Sequence, residues 1–179
     1  MEEHATATNS VDQKDPKNEI LKLEGSIKNG ANWFYWIAGL SIINSIIILF
    51  RGEWSFIIGL GITQFFDGMA IGLKEEMGGA SNLFHYIAFV LDIFVVAFFV
   101  LIGWLAAKRK GWAFLLGMVF YFFDGLIFLL VQDWLSLGFH GFALFCIWGG
   151  FSALKKLKAI EVETRTDVLD SNTSFSFTS

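Results

Sequence analysis

The stretch WAFLLGMVFYFFDGLIFLLV, residues 112–131, decides the fold. It has twenty residues, no period-2 alternation and a single charged side chain, Asp124. At 1.5 Å per residue it reaches about 30 Å, the thickness of a bilayer's hydrocarbon core. A helix apolar on all sides must be hidden in a large core or in lipid. The chain is too short to hide it, because it has 179 residues and several more runs of the same kind. Outward from this run, Gln132-Asp133-Trp134 reads as a tight turn with Asp133 as a helix cap, followed by an apolar run at 135–154. Upstream, Lys108-Arg109-Lys110-Gly111 closes a run at 83–107, and further apolar runs cover 33–50 and 54–73. The expected fold is therefore all-α, a polytopic membrane helix bundle with five transmembrane helices.

Composition agrees. Apolar residues make up 55% of the chain and charged residues 17%, below the usual quarter for a soluble domain. Trp33, Trp36, Trp54, Trp104, Trp112 and Trp134 fall near the expected helix ends, where indoles favour the interface. The net charge of −4 comes from the two tails, and no basic surface points to nucleic acid. Residues 1–30 read as a polar N-terminal tail. Asp15-Pro16 starts a short amphipathic helix there, which Asn29-Gly30 is expected to stop. Residues 159–179 are acidic and rich in Ser and Thr, and are expected to be disordered. The single cysteine, Cys146, excludes a disulfide within the chain and a Cys-rich metal site.

Cations set the expected orientation. With five crossings, Arg51, Lys108, Arg109, Lys110, Lys155, Lys156 and Lys158 share one side, which is then cytoplasmic and carries the C-terminus. The expected location is the cell membrane, as a multi-pass protein. Ala31-Asn32-Trp33-Phe34-Tyr35-Trp36 and Leu129-Leu130-Val131-Gln132-Asp133-Trp134 resemble segments of small bacterial membrane proteins. That resemblance implies a bacterial inner membrane and no activity.

Phe122-Phe123-Asp124-Gly125 repeats Phe65-Phe66-Asp67-Gly68, and Tyr121 stands where Gln64 does. The pattern suggests a two-helix unit repeated once in the same orientation. The twin Phe pairs are most simply packing residues.

Three acids, Asp67, Asp92 and Asp124, lie inside the runs. Each would cost roughly 2.5–3.5 kcal/mol facing lipid at mid-helix, so each should face the bundle interior. With Gln64, Tyr121, His85 and His140 they form a candidate polar pocket in one half of the membrane. The alternative role is helix glue: each Asp bonds a neighbouring helix, and the small residue beside it allows close approach. No metal site is expected, and no cofactor is identified. No Gly-x-Ser-x-Gly, His-Glu-x-x-His or phosphate-loop pattern occurs, so an enzyme is not expected.

Three functional expectations follow. The first is a non-enzymatic membrane subunit or interaction protein, with the lipid bilayer and a homo-oligomer or larger membrane complex as partners. The second is a carrier or channel for a proton, cation or small polar solute, using the intramembrane Asp residues. The third is a haem- or quinone-linked redox subunit using His85 and His140.

Overall fold

A computed structural model of the protein describes residues 16–49, 60–65 and 81–176. Helix α1 is Pro16–Leu49, α3 is Ser81–Ala107, α4 is Gly111–Leu130 and α5 is Trp134–Ser176. Between α1 and α3, residues 61–65 form the described part of a further helix, α2, which starts at Gly61 after the non-helical Leu60. No strand occurs among the described residues. Three described helices are long and apolar enough to span a membrane: Phe89–Ala107, Gly111–Leu130 and Trp134–Asp170.

Two helix ends lie elsewhere than expected. Asn29-Gly30 does not stop α1, because Gly30 lies face to face with Gly150 of α5. A Cβ on Gly30 would come within 2.6 Å of the Gly150 Cα. The lost side chain there permits backbone contact, which offsets glycine's low helix propensity. Likewise, α5 runs past Lys155, Lys156 and Lys158 as far as Ser176. Leu154 and Leu157 stay buried in the core on that stretch, so the packing face continues where the charges begin.

The order of contacts gives the directions. Along α1, Phe34 meets Phe99 of α3 with ring centroids 6.3 Å apart, and Ser45 further on meets Asp92, earlier in α3. Helix α1 is therefore antiparallel to α3. Gly30 meets Gly150, and Trp33 meets Phe142 with centroids 5.3 Å apart, so α1 is antiparallel to α5 as well. The turns at 108–110 and 131–133 reverse the chain between α3, α4 and α5.

Both turns use the same device. Lys110 N–H donates to Leu105 O and Arg109 N–H to Ala106 O, at 3.2 and 2.9 Å. Asp133 N–H donates to Phe128 O and Gln132 N–H to Leu129 O, at 3.0 and 3.3 Å. This is the Schellman pattern, with Arg109 (φ 60°) and Gln132 (φ 57°) in the left-handed region.

These directions correct the five-span layout. Helix α1 ends, and α3 begins, at the same face of the bundle. A single span between them, at 54–73, would put those two ends at opposite faces, and among the described residues three helices, not five, are long and apolar enough to cross a membrane. Leu60 also interrupts that span as a continuous helix. The rest of the expected second span lies outside the described residues. A unit repeated in one orientation would make α1 parallel to α3, and they are antiparallel.

The core is aromatic and aliphatic. Phe34 of α1, Phe99 and Ile102 of α3, Phe114 and Tyr121 of α4 and Ile147 of α5 are all buried in it. Phe122 and Phe123, read from sequence as packing residues, are more than half exposed. They line an outward groove of about 660 Å³ between α4 and α5, together with Phe145 and Trp148.

Candidate functional site

The polar centre is built on the start of α2. A helix's first turn leaves backbone N–H groups without intrahelical partners, and in an apolar interior each must find one. Leu60 N–H donates to Ser41 Oγ of α1 at 2.9 Å. Gly61 N–H donates to Asp124 Oδ2 and Ile62 N–H to Asp124 Oδ1, each at 2.8 Å. One carboxylate of α4 thus takes two amides of α2 in a fork. Negative charge is favoured at this end of a helix. Thr63 Oγ1–H and Gln64 N–H close the turn onto Leu60 O, at 2.8 and 3.3 Å. Gly61 admits the approach of α4, since a Cβ there would lie 2.8 Å from Phe128 Cε2 and 3.0 Å from Asp124 O.

Asp124 also binds α5. His140 Nε2 lies 3.0 Å from Asp124 Oδ2, and His140 Nδ1 lies 2.8 Å from Ser136 O. Asp124 is 6% exposed and His140 1%. A carbonyl oxygen only accepts, so Nδ1 carries a hydrogen and donates it to Ser136 O. Gly125 makes room for the imidazole: a Cβ on it would sit 3.2 Å from the His140 ring. Tyr121 stacks on the other face, with centroids 4.3 Å apart and planes 16° apart, and Phe128 packs at 4.9 Å.

Beyond Ser136 the polar groups lead outward. Ser136 Oγ–H donates to Asp133 Oδ2 at 2.6 Å, and Ser136 N–H to Asp133 Oδ1 at 3.1 Å. Asp133 caps α5 and is half-buried in the turn. The Ser136 hydroxyl bond, with the amides of Ser136 and Leu135, holds the Asp133 carboxyl below the usual carboxylate range. Asp133, Ser136 and His140 follow one side of α5, so His140 lies about 10 Å in from the turn.

On its other flank Asp124 borders a cavity of about 320 Å³. Its walls are Ile62, Val95, Phe98, Phe99, Phe120, Phe123 and Ile127. Asp124 is the sole ionisable residue in that lining.

Asp124, Tyr121 and His140, expected in one pocket, come together. Gln64 sits one turn along α2, half-buried. Asp92 is 3% exposed and takes Ser45 Oγ–H of α1 on Oδ2 at 2.9 Å, a separate tie between α1 and α3. His85 stands in the second turn of α3, and its side chain lies outside the described residues, as does Asp67. Among the described residues, no group of three or more His, Cys, Asp or Glu could hold a metal ion. His140 has both ring nitrogens engaged, so in this arrangement it offers none to a haem iron. Sequence reading passed over Ser41, Gly61 and Ser136. The polar spacing of Ser41, Asn44 and Ser45 along one side of α1 and the glycine within an apolar run were their signals.

Comparison of the chain with protein-family models, with curated proteins and with solved structures gives no match.

Proposed function

We propose that the protein is a non-enzymatic, multi-pass membrane subunit or interaction protein. The observation that carries this reading is how its buried polar groups are used. Ser41 holds α2, Ser45 ties Asp92, and Asp124 joins α4 to α2 and α5. The groups that a carrier would present to a solute are spent between helices, and the cavity beside Asp124 has apolar walls. On this reading α1, α3, α4 and α5 cross the bilayer, with the end of α1 and the start of α3 at one face. Lys17, Lys22, Lys28, Lys108, Arg109, Lys110, Lys155, Lys156 and Lys158 then gather at the opposite face, whereas 50–80 holds only Arg51 and Lys74. That bias favours a cytoplasmic location for both described ends of the chain. Large apolar side chains such as Phe94, Phe145 and Trp148 stand exposed, where lipid or a second membrane protein would cover them.

Asp124→Ala tests the role of the centre. It strands the buried imidazole and the two amides of α2. The expected loss is about 3 kcal/mol or more, read from unfolding in detergent. Unchanged stability contradicts the reading. The carrier or channel alternative draws on one observation, the start of α2 inside the bundle, a feature of helices that line transport sites. Proton or cation flux in liposomes that disappears in Asp124→Asn would favour it over the first reading.

A further inference from the structure

The two carboxyl oxygens of Asp124 have different surroundings. Oδ2 accepts Gly61 N–H at 2.8 Å and faces His140 Nε2 at 3.0 Å. Oδ1 accepts Ile62 N–H at 2.8 Å and makes no other hydrogen bond among the described residues. A carboxyl oxygen has room for two hydrogens, so Oδ1 keeps one acceptor position. Oδ1 is also the oxygen on the side of the 320 Å³ cavity. Ile62, its partner, lines that cavity with Asp124, whereas Gly61 and His140 do not.

The cavity lies between α3 and α4, with Ile62 of α2 beside the acid. Phe98, Phe99, Phe120 and Phe123 make up half of its lining residues. Phe98 stands edge-on to Phe99, with planes 85° apart, and packs on Phe120 with centroids 4.9 Å apart. Phe99 is buried, while Phe120 and Phe123 are more than half exposed, so the mouth is on the flank of the bundle.

A single acceptor among apolar walls selects its ligand. Water in such a site needs several polar partners and finds one. An ammonium group carries three N–H donors, and two of them would be stranded against phenylalanine, which is costly. A hydroxyl brings one donor for one acceptor. On an aromatic ring it also brings a body that packs offset or edge-on against the four phenylalanines. A cavity of about 150 Å³ takes benzene, so 320 Å³ has room for about two rings.

We propose that this cavity binds a small membrane-soluble aromatic alcohol, whose hydroxyl donates to Asp124 Oδ1 and whose rings lie among Phe98, Phe99, Phe120 and Phe123. The inference goes beyond the packing role proposed above, and only the entry of the ligand from lipid rests on the membrane reading. A molecule held there touches α2, α3 and α4 together, so it stabilises the folded bundle.

The test uses the full chain in detergent micelles and two probes, 2-naphthol and 2-methoxynaphthalene. They share a ring system, and only the first has an O–H. The amide signal of Ile62 and the methyl signals of Val95 are followed by NMR as each probe is added. 2-Naphthol should shift both saturably and bind about tenfold more tightly than the ether, the worth of one hydrogen bond. Equal affinities overturn the role of Oδ1. A drift that never saturates, as simple partition into the micelle gives, overturns the site. Val95→Phe places a ring in the cavity and should abolish the Ile62 shift with helicity unchanged. An Ile62 shift that survives in folded Val95→Phe overturns the site as well, and the comparison of the two probes on the unaltered chain needs no variant. Failure here leaves the unfolding of Asp124→Ala, and the packing role it tests, untouched.

Discussion

At the scale of single residues, small contacts decide where helices can meet. A methyl group on Gly150 would lie 2.7 Å from the Gly30 Cα, whereas one on Gly149 meets nothing within 4 Å. Gly150→Ala should therefore cost about 1–3 kcal/mol by overpacking. Gly149→Ala should be neutral or gain up to about 1 kcal/mol in helix propensity. Thermal unfolding of the two variants side by side checks the pair, and equal effects contradict the contact. Asp133 gives a pH dependence. Its folded carboxyl titrates below the ordinary range, so its contribution is present above the unfolded value and is lost as the pH falls through the folded one. Asp133→Ala should cost about 1 kcal/mol at neutral pH and less in acid, while Asp133→Asn keeps the cap. Unfolding curves at both pH values read this. Asp124, Tyr121 and His140 were legible in the sequence because polar groups in apolar runs stand out. Their partners were not, since the Gly61 and Ile62 contributions come from the backbone and any residue but proline carries an N–H.

At the scale of elements, the ends of α3 and α4 place non-glycine residues in left-handed turns. Gln132 is exposed and holds φ 57°. Glycine adopts that conformation without the usual penalty, so Gln132→Gly should stabilise the protein by about 0.5–1 kcal/mol. A loss measured by thermal unfolding would mean that the turn does not hold this geometry. The α3 and α4 runs were read closely from sequence, because each is a long apolar stretch closed by polar residues. The ends of α1 and α5 were misread for a physical reason. Glycine weakens a helix only where nothing repays it, and here Gly30 meets Gly150; lysine is itself a good helix former, and Leu157 stays buried past Lys155 and Lys156. Arg109 adds ion pairs to Glu24 of α1 and, at 3.2 Å, to Glu161 of α5. These are exposed, worth at most about 1 kcal/mol, and serve mainly to align the helix ends.

At the scale of the whole molecule, the presence of helices long and apolar enough to cross a membrane was legible, and their directions were not. Apolar length tells that a segment can enter lipid, but the direction in which it leaves depends on partners far away in sequence. Residues 54–73 have the composition of a span, yet Leu60, Gly61 and Ile62 within them form hydrogen bonds with Ser41 and Asp124. Those bonds are affordable only where other helices shield them. Antiparallel α1 and α5 place Pro16 and the lysines after Leu154 at one end of the bundle. The direct measurement is a pair of full-length chains in cells, one with a reporter at the N-terminus and one with it at the C-terminus. Both reporters should register on the same side of the membrane, the cytoplasmic one. Reporters on opposite sides would mean an odd number of crossings and would contradict the arrangement of helices on which the account of Asp124 rests.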